Sequence, residues 1–314
     1  MPHKKKRKAL LITLLVIFLI GLATIITLVC VDLFSNPITV FYELNEDNTY
    51  SASIGYDNRT SSKIKSVKNI KISSSHDGKP VTNIKNAGLN TCNIPINEII
   101  VPDSVTSIED EAFSDFLELK KLTLPSSIQE IGAHIASASI ELNFQSNDYF
   151  TFENNCIVEK ATKTAIFGLN GCTIPDDTEI IGNRSFVGAT LANSALPTSI
   201  TKICEGGFFS ATFDFDKLVI TENIREIESQ AFSYVKGINN TLQISSTGVI
   251  NSMAFSYCSI QTLIYDVEPN VIDGYKVLEF DSKINAYYEN ENMPVLSNKK
   301  EIESDMPGYR KYRT

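Results

Sequence analysis

The chain of 314 residues has no tryptophan and three histidines. Neither His76 nor His134 has a second ligand at i+4 or a nearby nucleophile, and no G-x-S-x-G occurs. A helical zinc motif and a nucleophile elbow are therefore missing. Phosphate loops and Rossmann glycine patterns are missing too. The six cysteines (Cys30, Cys92, Cys156, Cys172, Cys204, Cys258) form no C-x-x-C and no metal-ligand spacing. They read as small buried apolar residues. The alternative is a single disulfide, such as Cys156–Cys172. What the chain does have is Asn, Ser, Thr and Ile in abundance, which suits strands and turns better than helix bundles.

Charge is absent from Ala9 to Val31, 23 residues in a row, and "HKKKRK" (His3 to Lys8) precedes them. A helix rising about 1.5 Å per residue crosses a hydrocarbon core of about 30 Å over such a length. The expectation is a transmembrane signal-anchor helix at 9–31 behind a basic cytoplasmic segment at 1–8. The repeat domain would then lie outside the cell. A cleaved signal peptide, giving a secreted product, and a lipoprotein acylated at Cys30 are the alternatives. Against the first, the run is long and offers no A-x-A. Against the second, Val29 is not small. Residues 1–31 hold five basic residues and no acid, leaving 23 Lys/Arg against 37 Asp/Glu, a net charge of −14. Such a balance argues against a nucleic-acid partner.

Internal periodicity dominates the rest. "VPDSVTSIEDEAF" (Val101 to Phe113) returns at Leu122 to Ala138, with Pro102 and Pro125 23 residues apart. Further copies start at Cys172, Ser194, Leu218 and Leu242, and a weaker one spans Ile70 to Cys92. A degenerate start lies at Leu263. The unit is apolar-x-apolar-Pro, an apolar residue three and six places later, then small-Phe. Apolar-x-apolar is a strand with one buried face. Proline ends it, since it cannot donate to a ladder. The +3/+6 spacing predicts a tight helical or 3₁₀-like turn. One coil cannot bury its own apolar side, but stacked coils can. The fold class expected is therefore mainly β: a solenoid of about 23-residue coils, with parallel strands and a ladder of Phe113, Phe186, Phe208, Phe232 and Phe255. The aromatic is missing at Leu89 and Ala136, where the ladder should thin.

These residues resemble the leucine-rich repeats of the BspA-like surface-protein family, whose units run "IPxxVxxIgxxAFxxC". The resemblance covers about residues 38–290. It implies an opening hairpin at Val40 to Asn58, a first coil at His76 to Ile84, and a hairpin insert at Tyr149 to Pro175. Pro gives way to Thr221 and Ser245 in late copies. The domain plan follows: linker and capping hairpin at 32–68, repeats at 69–290 with the insert near 146–171, and a flexible basic tail at 291–314.

Several groups resemble chemistry. Glu109, Asp110 and Glu111 cluster, but other copies place Gly132, Ala133, His134 or Gly182, Asn183, Arg184 in those columns. That mixture reads as a solvated turn. "FDFD" sets Asp214 and Asp216 on one face without a nucleotide-binding unit around them. Sequons at Asn58, Asn183 and Asn239 matter only in a eukaryotic secretory pathway. No catalytic residue, metal or cofactor is expected. More informative is the outward row of the stacked strands. Middle residues Lys71, Ile100, Thr123, Thr173, Val219, Gln243 and Ile264 should share it with Glu98, Lys121, Asn193, Lys217 and Thr241, two places earlier in their coils. Solenoids bind partners along such surfaces. The resemblance implies a non-enzymatic surface protein that adheres to a protein or cell-surface macromolecule. The alternative is a structural or assembly component of the envelope.

Overall fold

The structure, a computed structural model, describes residues 38–56, 68–86, 96–251, 253–258, 260–267, 270–271, 285–288, 300–302, 304 and 310–313. The proposed anchor helix, Cys30, Asn58, Leu89 and Cys92 lie outside them. Each coil runs up a wide face, turns, runs along a narrow face and returns through an arc.

On the wide face, β3 (Lys68–Lys71), β6 (Ile96–Ile100), β8 (Lys121–Thr123) and β10 (Glu141–Asn143) pair in parallel. Leu122 shows why: it and Leu124 are buried while Thr123 between them points out. A second wide sheet holds β16 (Leu218–Ile220), β18 (Thr241–Ile244), β20 (Thr262–Tyr265) and β22 (Asn285–Tyr288), also parallel. Within the segment expected as a flexible tail, β23 (Lys300–Ile302) and β24 (Arg310–Arg313) pair antiparallel, and β24 joins β22.

The narrow face also consists of strands. β1 (Ile38–Leu44) and β2 (Tyr50–Tyr56) form an antiparallel hairpin. β2 leads in parallel into β5 (Lys79–Ile84), β7 (Ser107–Ile108) and β9 (Glu130–Ile131), with the short β4 (Ser75–His76) on β5. A second array opens the same way. The antiparallel β11 (Phe150–Glu153), β12 (Cys156–Glu159) and β13 (Thr164–Gly168) lead into β14 (Ile180–Ile181), β15 (Lys202–Ile203), β17 (Glu226–Ile227), β19 (Val249–Ile250) and β21 (Asn270–Val271).

The helical or 3₁₀ turns expected at +3/+6 are not there: the described residues contain no helix. The +6 residue, such as Ile108 or Ile227, sits on a two-residue parallel strand instead. Turning is done by residues with left-handed backbone, including Glu111, His134, Arg184, Gln230 and Met253, with φ between 48° and 59°. Each non-glycine residue there costs about 1–2 kcal/mol. The arc is held by bonds along the stack. Arg184, Phe186 and Gly188 donate their N–H groups to Glu205, Gly207 and Phe209 of the next coil, at 2.9–3.0 Å. Gly132 is required by close approach, since a Cβ there would stand 2.3 Å from the Asp110 nitrogen.

Aromatic stacking follows the same spacing. Phe186, Phe208, Phe232 and Phe255 stack with centroids 5.3, 5.2 and 5.0 Å apart. Phe113 stands outside this stack, with Ala136 in the intervening slot. The stack begins against Gly168, where a Cβ would lie 2.2 Å from the Phe186 ring. The core falls into two clusters, and the β11–β13 insert contributes to both. Phe150, Ile157 and Phe167 belong to the N-terminal cluster, and Cys156, Val158 and Ala165 to the C-terminal one. Strand alternation makes the insert a two-sided wall.

A serine column ties the coils beneath the proline corner. Ser104, Ser127 and Ser199 donate to the carbonyls of Val81, Val105 and Thr178 in the preceding coil, at 2.7, 2.7 and 2.5 Å. Ser246 does the same to Ile224. Replacing Ser127 by Ala should lower stability in urea unfolding by about 1 kcal/mol. The exposed neighbour Ser126→Ala should stay within about 0.5 kcal/mol of the parent chain.

Candidate functional site

The wide face of the N-terminal array aligns Lys71, Ile100, Thr123 and Asn143 in one row, one residue per coil. At about 4.8 Å between strands the row is roughly 14 Å long. It borders an open groove of about 900 Å³ at the proline corners, with Asp103, Ser126 and Gln145 on its other side. Its floor is apolar: Ile72, Val101, Leu124 and Phe144 are all buried. Lys71 is exposed, and Ile100 and Thr123 are half-exposed. Behind this row, Asn69 donates to Glu98 at 3.1 Å, and Lys121 lies 3.8 Å from both Glu98 and Glu141. Those charges satisfy one another across coils, an exposed arrangement that adds under about 1 kcal/mol.

The C-terminal wide face carries Val219, Gln243 and Ile264 in register, with Lys217 and Thr241 behind them. Lys217 donates to Gln243 at 2.6 Å, and Gln243 donates to Asp266 at 2.5 Å. That chain of amide and carboxylate ends at Asp266, just past the strand of Ile264. The outward exposure expected of Ile264 does not occur: only 7% of it is accessible. Val219, Thr241 and Gln243 are half-exposed and Lys217 is exposed.

Between the two wide sheets the ribbon is interrupted. Thr173 and Asn193 lie on no strand. Asn193 accepts from the Ile174 N–H at 2.8 Å and donates to the Ile174 carbonyl at 3.2 Å. Its amide stands in for a missing strand pair, which spends the side chain on its own fold. The expected continuous face is thus two separate ones.

The acid cluster is not simply solvated. Glu109 accepts from the Asn83 amide at 3.0 Å, and Asp110 accepts from the Ala133 N–H at 2.7 Å. Glu111 forms an ion pair with Arg184, beyond the insert. These acids connect coils. Asp214 and Asp216 are exposed while Phe213 and Phe215 between and before them are buried. His76 stacks on Tyr42 at 4.2 Å, edge-on to Tyr50. Asn183 and Asn239 are exposed. Among the described residues no group of three or more His, Cys, Asp or Glu is placed to hold a metal. Sequence reading missed the serine column and Asn147. Asn147 donates to the Ser126 and Ile128 carbonyls and accepts from the Tyr149 and Phe150 N–H groups, fixing the start of the insert. The recurring Ser two places after Pro was the available signal.

Cys156, Cys172, Cys204 and Cys258 are free thiols. Burial pushes Cys172 up to about 12 and Cys204 and Cys258 up to about 11, and raises Cys156 further. Burial lowers the pKa of His134, against a smaller opposing pull from Asp115.

The family model for the BspA type leucine rich repeat region matches residues 57–159 and 157–277, in 6 copies. Comparison with curated proteins finds no match. Among solved structures, a leucine-rich repeat protein from Eubacterium ventriosum is 17% identical, covers 74% of this chain and 77% of its own, and gives a TM-score of 0.49. A leucine rich cell surface protein from Faecalibacterium prausnitzii is 18% identical over 74% of this chain and 71% of its own, with a TM-score of 0.39. The pneumococcal vaccine antigen PcpA is 13% identical over 82% of this chain and 93% of its own, with a TM-score of 0.35.

Thiolates are the reactive form, so iodoacetamide at pH 8 should label Cys156, Cys172 and Cys258 far more slowly in the native chain than in denaturant, as read by peptide mass spectrometry. Half-buried Cys204 should label first of the four. For His134 the folded chain resists a proton that the unfolded chain accepts below about pH 6.5. Stability should therefore fall as pH drops through that value, with the loss complete below the folded pKa. In His134→Asn, which tolerates the left-handed φ of 48°, this acid-side loss in denaturant midpoint should shrink.

Proposed function

This chain belongs to the BspA type leucine rich repeat family, and from that membership we propose a non-enzymatic, surface-exposed binding protein held at the membrane by residues 9–31. It engages a protein or other cell-surface macromolecule through the wide face of its N-terminal array. The observation that carries this reading is the row Lys71, Ile100, Thr123 and Asn143 along the groove. Four coils present one side chain each at fixed spacing, on strands held in register by the backbone bonds between them. Such a surface is pre-organised, so little ordering cost opposes binding. The mixed chemistry of the groove suits a polypeptide better than a small apolar ligand. Its cation, hydroxyls and amides surround one half-exposed Ile100.

The corresponding C-terminal row is less suited, because Lys217, Gln243 and Asp266 are bonded to one another. Cells displaying the full chain should adhere to immobilised matrix proteins or to other cells. Ile100→Glu combined with Thr123→Glu should weaken that adhesion by about tenfold or more, with surface display unchanged. Val219→Glu should have a smaller effect. Adhesion that is indifferent to the double variant, or a parent chain that adheres to nothing in a broad panel, would sink the reading.

A further inference from the structure

The sheets of this chain end in several edges, and most are protected in the usual ways. β9 has two residues and β10 three, and β3 carries the exposed Lys71. The first strand differs. β1 is seven residues long, ITVFYEL, with no Lys, Arg or Pro. Among the described residues it pairs with β2 alone, so its other edge has no strand beside it. Its inward side, Ile38, Val40 and Tyr42, packs on the N-terminal core. On the outward side Phe41 is 43% exposed; Leu44, at the end of the inward row, is 51% exposed. The Phe41 ring is not loose. It lies over Gly55 of β2, where a Cβ would be 3.1 Å away. Glu43 is held by Lys85 at 2.8 Å.

We propose that this edge pairs with the same edge of a second copy of the chain, antiparallel and centred on Phe41. The strand is complementary to itself in that register. Phe41 then faces Phe41 of the second copy, Val40 faces Tyr42, Thr39 faces Glu43 and Ile38 faces Leu44. All seven residues are paired, apolar groups meet apolar groups, and no like charges are opposed. A shift that centred Glu43 would set two carboxylates against each other, and one that centred Thr39 would leave most of the strand unpaired. The contact is isologous, so it closes as a twofold dimer. A two-strand contact is small for a specific interface. Confinement of both copies to one surface would raise its effective concentration.

The test uses the full chain in the membranes of an expressing cell. Phe41→Cys should form a dimer under mild oxidation, several-fold above both the parent chain, whose own cysteines set the background, and Thr39→Cys. Thr39 faces Glu43 rather than itself. Phe41→Lys and Phe41→Glu should each lose self-association alone and regain it when co-expressed, a rescue that the loss of packing on Gly55, common to both variants, does not mimic. Equal crosslinking at 39 and 41 overturns the register. Failure to crosslink at 41, or crosslinking there to a different polypeptide, overturns self-pairing.

Discussion

The described coils depend on the backbone hydrogen bonds that run from each coil to the next. A single coil has short strands of two to six residues and no interior. Its apolar residues are covered only when the next coil arrives in register. The period of 23 residues is what lets like groups meet: Asp110 reaches Ala133, Ser107 reaches Glu130, and Glu205 reaches Glu228. Spacings of 22 to 24 residues bring phenylalanine rings to 5.0–5.3 Å and set serines beneath neighbouring carbonyls. Stability in such a stack is a sum over neighbouring pairs. A flaw in one coil is felt mainly by the coils beside it.

Stacking leaves open ends, and hairpins close them. β1–β2 covers the first coil of the N-terminal array, and β11–β13 stands at the head of the second array in the same relation to β14. The insert is therefore less an interruption than a second beginning. Its alternating side chains serve two cores at once, which is why Cys156, Ile157 and Val158 are all buried. Glu111 and Arg184 clasp the two arrays across it.

For binding, the consequence is a division of labour between the two wide faces. In the N-terminal array the side chains nearest the groove remain available, while the charges behind them neutralise one another. In the C-terminal array a lysine, an amide and a carboxylate bind each other, and Ile264 is buried. Outward direction on a strand decides where a side chain starts, but its neighbours decide whether it is still available.

The sequence by itself determined the repeat, the strand at each apolar-x-apolar, the corner at each proline and the phenylalanine column. All of these are local periodicities, and a period survives in one dimension. It also placed Lys71, Ile100 and Thr123 on one side of their strands. It could not reveal that the +6 residue is a strand rather than a helical turn, since two residues carry no periodicity of their own and become a strand only by pairing with the next coil. Nor could it show that Asn193 clamps Ile174 and that Lys217, Gln243 and Asp266 bond to one another. Those partners lie 19, 26 and 23 residues apart, and only the tertiary stack brings them within bonding distance.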